Sequence, residues 1–501
     1  MPRRIVIVGH GMVGARFVDE VRRRDPDGER ASLVVFGAEP HAAYNRVLLS
    51  TVVAGGLTPE AVRLHEPGWA KERRVALHTG VTVNAIDRAR RRVLLDDGAD
   101  EPYDELVLAT GSRAWIPPTD GLLAADGTGE LADGVATFRD LDDCARILEL
   151  ARPGGRVAVL GGGLLGLEAA RGLVGRGVRV TVLHPVGHLM ERQLDAGAAG
   201  VLAATLRRLG VDVRLNVSAK RWTPGMGLEC DDGTTLSVDA VVVSAGVRAE
   251  TGLAADAGIA TDRGVLVDDR MGTSDDRVHA IGDCARHPGT VSGLVQPGFE
   301  QAEVLAGLLT GADPAARYRG TPLVTRLKAR DIDLAAVGDA LAEDPGNVDD
   351  GIEVLQLSDP FRGRYAKIVL NRDRLLGAIM LGVPDAAASV IQLFDSGAPA
   401  PTDRLALLLG RALPGEASSA GGPASVVASP ALLPSSALIC RCNTVSKGAL
   451  VTAWRSGATD LAALRRATRA GTGCGGCQPA VDGIRDWLAA AEPAELEGGA
   501  A

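Results

Sequence analysis

The sequence is short of several things, and each shortage removes a class of function. It has no basic excess: 54 Lys and Arg stand against 63 Asp and Glu, a formal net charge of -9. Phosphate backbones need a basic face, so a nucleic-acid partner is not expected. It has no clean hydrophobic run of membrane-spanning length. The longest apolar stretch, Val157 to Val174, carries Glu168 and Arg171 and is crowded with glycine, so it reads as a buried strand entering a helix, with no membrane partner. The apolar run after Arg3-Arg4, Ile5 to Val8, is far too short for the core of a secretion signal, which points to a cytoplasmic protein. Cysteine is scarce and unevenly spread. Of seven, four crowd near the C-terminus as two tight pairs, Cys440-Arg-Cys442 and Cys474-Gly-Gly-Cys477. That excludes a disulfide scaffold and suggests metal ligation in a reducing compartment.

At 501 residues, 46% of them hydrophobic, the chain can form two to four domains with separate cores. Two segments share one plan: Arg4 to Gly14, and Arg156 to Gly166 about 150 residues later. Each reads as strand, glycine turn, helix. A second β-branched run follows each, Leu33 to Phe36 and Arg179 to Leu183, at the spacing of the next parallel strand of a βαβ unit. Two Rossmann-like dinucleotide-binding domains of an α/β protein are expected. From Gly320 to Leu409, strand-like runs (Ile352 to Leu357, Ala366 to Leu370, Leu375 to Leu381) alternate with turns, as in a small α+β domain. Leu413 to Ala437 is built almost wholly of Pro, Ala, Ser and Gly with scattered Val and Leu, the composition of a flexible linker. A short segment with the paired cysteines follows, with a helix-like stretch from Leu461 to Arg469.

In the first loop, Gly9, Gly11 and Gly14 let a helix N-terminus approach a pyrophosphate, with Met12 and Val13 between them. An ordinary glycine turn would look similar. Glu39, slightly late after the second strand, is the candidate acceptor for ribose hydroxyls. The second loop repeats the logic with Gly161, Gly163, Leu165 and Gly166, so a second dinucleotide, NAD(P)H, is the expected hydride source. The strand Arg179 to Leu183 runs into His184, where NAD-selective enzymes usually place a carboxylate. NADPH stays open on that ground; the lack of an arginine pair tilts the balance to NADH.

Three further stretches carry a resemblance. Tyr103 to Gly111, with Thr110 and Gly111 at the turn, resembles the strand and crossover turn of the glutathione-reductase-like flavoprotein superfamily, and Val278 to Asp283 resembles its second flavin motif. By that resemblance Gly282 and Asp283 bind FAD, Asp283 at the ribityl chain. The segment Gln296 to Gln301 opens a helix whose positive end faces the flavin, and Glu168 orients the nicotinamide as the catalytic candidate. A helix first-turn glutamate favoured by the dipole is the plainer reading of Glu168. Val83 and Gly246 complete the cofactor-binding candidates. No Cys-x-x-x-x-Cys follows the first loop, so disulfide reduction is not expected, and Cys144, Cys230 and Cys284 read as small buried hydrophobes.

The paired cysteines are separated by the 31 residues from 443 to 473. Spacing alone fits either [2Fe-2S] or zinc. Thr472-Gly-Cys474-Gly-Gly-Cys477-Gln-Pro479 after Cys-x-Cys resembles the bacterioferritin-associated ferredoxin-like domain, which implies a [2Fe-2S] cluster on Cys440, Cys442, Cys474 and Cys477. Cys442 and Cys477 are each expected to precede a helix start directly, with Thr444 or Ser446 as cap and Pro479 in the first turn.

Almost the whole chain is similar to the N-terminal part of the assimilatory NAD(P)H nitrite reductase large-subunit family and the related electron-transfer subunits of assimilatory nitrate reductase. Ala43 to Ser50 and Trp115 to Pro118 add to the likeness, and Arg46 is the implied phosphate or adenine partner. The family's sirohaem part has no counterpart before Ala501. The resemblance implies a FAD-binding domain (1–118 and 245–315), a NAD(P)H-binding domain (119–244), a small α+β domain (316–412), the linker (413–437) and the cluster domain (438–490). It implies electron transfer to a separate terminal reductase, of nitrate first and of nitrite in a split enzyme second, with homodimer formation allowed. A ferredoxin-type reductase and a non-catalytic iron-sulfur redox sensor are the alternatives.

Overall fold

The computed structural model describes residues 2–288, 293–343, 351–409, 430–431, 433–473 and 475–491. The first glycine segment forms a strand, Arg3–Val8, followed by the helix Met12–Arg24. Ile5, Val6 and Ile7 are fully buried, as befits a central strand covered on both faces. It pairs in parallel with Ala31–Gly37 on one side and Glu105–Leu108 on the other, and Val75–Thr79 and Val278–Ala280 complete a five-stranded parallel sheet.

The second glycine segment repeats this. Arg156–Leu160 lies between Arg179–His184 and Ala240–Val243, with Val211–Leu215 and Val135–Thr137 at the edges, all parallel. The apolar stretch from Val157 to Val174 is thus that strand and the helix Leu164–Gly175. Two short antiparallel strands, Ser112–Ala114 and Val247–Ala249, mark where the chain crosses between the two sheets.

A third, antiparallel sheet runs in the order Val324–Leu327, Leu334–Gly338, Arg374–Leu381, Arg364–Asn371, Ile352–Asp359. All three expected strand runs fall inside it. One face packs on the helix Pro384–Ser396, while Ile379, Leu381 and Tyr365 join the core of the second dinucleotide module.

The cysteine segment is a small hairpin, Leu438–Cys440 with Val445–Ser446, and the helices Lys447–Arg455, Leu461–Thr468 and Gln478–Ala491 around Leu450, Leu464, Ile484 and Leu488. Residues 413–429 and 432 of the expected linker lie outside the described residues. Its last residues are tied to the cluster module: Gly448 N–H donates to the Ser435 carbonyl at 2.8 Å and the Lys447 ammonium to the Leu433 carbonyl at 2.6 Å. No helix among the described residues is long and apolar enough to cross a membrane.

Candidate functional site

At Gly9 the backbone turns with φ +113°, and a Cβ there would run into the Ala109 carbonyl. A Cβ at Gly14 would meet the Gly9 carbonyl, so helix and strand touch backbone to backbone. Gly11 caps the helix with no side-chain bond, leaving the first amide groups open to an anion. Gly161, at φ +123°, and Gly166 reproduce the same two close approaches, and Gly163 faces open space. The geometry of both loops therefore fits a pyrophosphate.

The first loop opens into a cavity of about 900 Å³, near the upper end for cofactor sites. Its walls bring together Gly9, Gly11, Met12, Val13, Glu39, Arg46, Val83, Thr110, Gly111, Leu165, Glu168, Gly282, Asp283, Cys440, Cys442 and Cys477. Gly14, Gly161, Gly163, Gly166, His184 and Gly246 stand outside that wall. His184 is buried beneath the second loop, its Nδ1 accepting from Gly162 N–H at 3.1 Å and its Nε2 3.2 Å from Glu191. The carbonyl of Gly246, a residue at φ +118°, accepts from Trp115 N–H at 3.0 Å.

Two pairs of charged groups stand in the cavity wall. Glu39 receives the Tyr44 hydroxyl at 2.5 Å and is ion-paired with Arg46, whose guanidinium also donates to the Arg139 carbonyl at 3.1 Å. Asp283 receives Arg139 Nη2 and the Ser112 hydroxyl, each at 2.8 Å. Glu168 is buried and accepts from the backbone N–H of Lys328 at 2.9 Å. Burial raises its carboxyl above the usual range, while the Ser50 hydroxyl and the Lys328 N–H pull the other way. His10, inside the first loop, is buried and pushed down to about 4, first by that burial and then by the nearby His65. It is neutral at physiological pH.

The helix Val295–Leu309 begins at the cavity with no side-chain cap, so its positive end faces the space. Cys440, Cys442 and Cys477 line the same cavity. Cys440 and Cys442 are buried and Cys477 half-buried; Cys474 lies outside the described residues. Among the described residues no group of three or more His, Cys, Asp and Glu side chains converges as a metal site. What the structure supplies is donors. The Cys440 thiol is drawn down to about 6, first by a hydrogen bond with Cys477, against the effect of burial, and then by the N–H groups of Gly471 and Asn443 and the Asn443 side chain. A sulfur so surrounded is prepared to be a thiolate, which fits an iron-sulfur cluster.

Arg139, Lys328, His10 and Asn443 belong to this site and were not singled out from sequence. Arg139 and Lys328 reach it from the two other modules and carry no local motif. Asn443 adjoins Cys442 in the ligand loop, so its neighbourhood was a signal. The helix after Cys442 starts at Lys447 with Ser446 as N-cap, not directly after the cysteine, because Thr444 turns left-handed at φ 51° and Val445 pairs back on Cys440. The helix after Cys477 does start at Gln478.

Comparison with known proteins agrees with this arrangement. Residues 3–303 match the pyridine nucleotide-disulphide oxidoreductase family, 438–485 the BFD-like [2Fe-2S] binding domain, and 324–397 the rubredoxin NAD+ reductase C-terminal domain. The chain is 35% identical to a nitrite reductase [NAD(P)H] of Bacillus subtilis over 96% of its own length and 57% of the relative's. It is 34% identical to the assimilatory nitrate reductase electron transfer subunit of the same organism, over 98% of its length and 60% of the relative's. It therefore spans less than two thirds of these relatives. A covalent putidaredoxin reductase–putidaredoxin complex superposes with a TM-score of 0.70 at 26% identity, covering 79% of this chain and 94% of that one.

Proposed function

The chain belongs to the pyridine nucleotide-disulphide oxidoreductase family, and from that premise we propose that it carries electrons from NAD(P)H through FAD and a [2Fe-2S] cluster to a separate terminal reductase acting on nitrate. One observation carries the reading. The first glycine loop, Asp283, Glu168 and three of the paired cysteines wall a single cavity, so the entry for hydride and the exit for single electrons share one space. When bound, FAD supplies hydride acceptance and the cluster supplies one-electron carriage.

The rest falls to this chain's residues. Gly9, Gly11, Gly14 and the backbone beside Met12 and Val13 receive the FAD pyrophosphate, with Glu39 and Arg46 at its adenosine end. Val83, Thr110, Gly111, Gly282 and Asp283 line the remaining length, Asp283 accepting from ribityl hydroxyls with Arg139 paired to its carboxylate. Gly161, Gly163, Leu165 and Gly166 hold the nicotinamide dinucleotide, with His184 and Gly246 bordering it, and NADH is favoured. Glu168, fixed by Lys328, orients the nicotinamide. The N-terminal end of Val295–Leu309 stabilises negative charge on reduced flavin. Cys440, Cys442, Cys474 and Cys477 ligate the cluster, and the domain limits given from sequence go with these assignments, except that residues 433–437, bonded to the cluster module, join it and not the linker. Thiolate ligation suits a cytoplasmic location.

Purified protein should show flavin and [2Fe-2S] absorbance, both bleached by NADH, with cluster bleaching lost in Cys474→Ser. A flavin reduced by neither nicotinamide sinks the reading. The likeness to nitrite reductase supports a second reading, a split nitrite reductase; supplying each terminal enzyme in turn and following product separates the two.

A further inference from the structure

Asn443, next to the ligand Cys442, is 8% exposed and stands between the cluster module and the flavin module. Its amide nitrogen lies 3.7 Å from Cys440 Sγ, 2.7 Å from the Arg469 carbonyl and 3.2 Å from Thr472 Oγ1. Its amide oxygen accepts from Arg16 Nη1 at 2.8 Å. The two ends of a carboxamide are told apart only by their partners. Here both partners act one way: a guanidinium only donates and a carbonyl only accepts. The NH2 group is therefore held toward the sulfur.

Arg16 belongs to the helix Met12–Arg24 of the flavin module. It is itself fixed, 3.2 Å from Glu20 and 5.3 Å above the Phe299 ring, with 10% of its side chain exposed. A charge-assisted bond to the amide oxygen polarises the carboxamide and strengthens what its N–H groups donate. An electron taken up by a bound cluster would add negative charge at the thiolate ligands, and donors aimed at the sulfurs would favour that reduced form.

We propose that Arg16, acting through Asn443 as a positioning residue, raises the potential of the cluster when the cluster module is seated on the flavin module. The seated cluster is then the better electron acceptor. When the seat is broken, Asn443 loses the guanidinium, the potential falls, and the cluster becomes the stronger donor to its partner. By linkage, reduction tightens the seat to the same degree. The proposal rests on a [2Fe-2S] cluster occupying the four cysteines. A full-length chain that binds no iron defeats that reading, whereas a cluster whose potential ignores Arg16 defeats only this inference.

The test is an anaerobic redox titration of the full-length protein, following the electron paramagnetic resonance of the reduced cluster. Arg16→Met should shift the midpoint to more negative values, by enough to move the flavin-cluster equilibrium about tenfold, or 59 mV for one electron. Glu20 keeps Arg23, Arg24 and Arg469 in that variant, so no buried charge is stranded. Asn443→Ala should also shift the midpoint negative, and the double variant should go no further than Asn443→Ala alone. Arg16→Lys should stay near the wild type. If Arg16→Met is not recovered with iron and flavin, Arg16→Gln, which keeps a donor without the charge, should show an intermediate shift. An unmoved midpoint in the recovered variant overturns the proposal, and so does a double shift equal to the sum of the singles, which would mean that the charge bypasses the amide.

Discussion

Glu168 is buried with one backbone donor and one hydroxyl beside it, and for a carboxyl whose folded pKa is raised the sign of the pH effect is fixed. The penalty is absent at acid pH, where folded and unfolded chains are both protonated. It grows as pH rises through the unfolded value toward the folded one. Glu168→Gln should therefore gain melting temperature over the wild type at neutral pH and none in acid. The same variant should lose about 10- to 100-fold in NADH-dependent ferricyanide reduction, the cost of a misplaced reacting ring. An unchanged rate would return Glu168 to a purely structural role. Gly9 gives a second case. Gly9→Ala combines a left-handed backbone with a collision against the Ala109 carbonyl, so about 1–3 kcal/mol of stability and most of the bound flavin should be lost, as read by thermal melting and flavin absorbance per chain. Glycine at this position was legible from sequence because the spacing itself states the backbone requirement. Arg139 was not: its meeting with Asp283 is made by residues 144 apart in the chain, and no local pattern encodes it.

At the level of elements, the parallel strands were legible because two-sided burial demands unbroken β-branched runs, and the runs at Leu33 and Arg179 lie within Ala31–Gly37 and Arg179–His184. The antiparallel sheet was legible for three of its five strands and not for its order, which sets Leu334–Gly338, carrying no expected run, beside Arg374–Leu381. Around the cysteines the sequence offered two caps, and the hairpin decides between them. Val445 must pair with Cys440 before a helix can begin, so Ser446, whose hydroxyl accepts from Ala449 N–H at 3.2 Å, is the cap. Ser446→Ala should cost the helix Lys447–Arg455 about 1 kcal/mol, seen as faster hydrogen exchange at Ala449, whereas Thr444→Ala should leave that amide unchanged.

Across the whole molecule, the cluster module is seated by polar contacts that no single segment reveals. Arg469 reaches Glu20 at 3.1 Å and Asp19 at 3.4 Å, the Asn45 amide donates to the carbonyls of Thr472 and Gly473, and Arg441 pairs with Asp395 of the third module. Between them Cys442 packs on Met12 and Phe299. The dinucleotide and cluster modules could be read from their motifs and the third from its strand runs; the seat could not, because its partners come from three modules and are ordinary polar or charged groups that share no local pattern. Asp19 also binds His65 and Trp69, at 3.0 and 3.1 Å, and Glu20 keeps three other arginines. Arg469→Gln should therefore leave the fold intact and weaken the seat alone. Because the lost pair is partly exposed, added salt should weaken the wild-type seat in the same direction, though less, since Glu20 is buried and screened little. Stopped-flow mixing with NADH at separate flavin and cluster wavelengths should show flavin bleaching at the wild-type rate and cluster bleaching slowed several-fold in Arg469→Gln, with the gap narrowing as ionic strength rises. Equal slowing of both phases would place Arg469 upstream, in the flavin module's own integrity, and the seat would lose its claim to govern the passage of electrons between the modules.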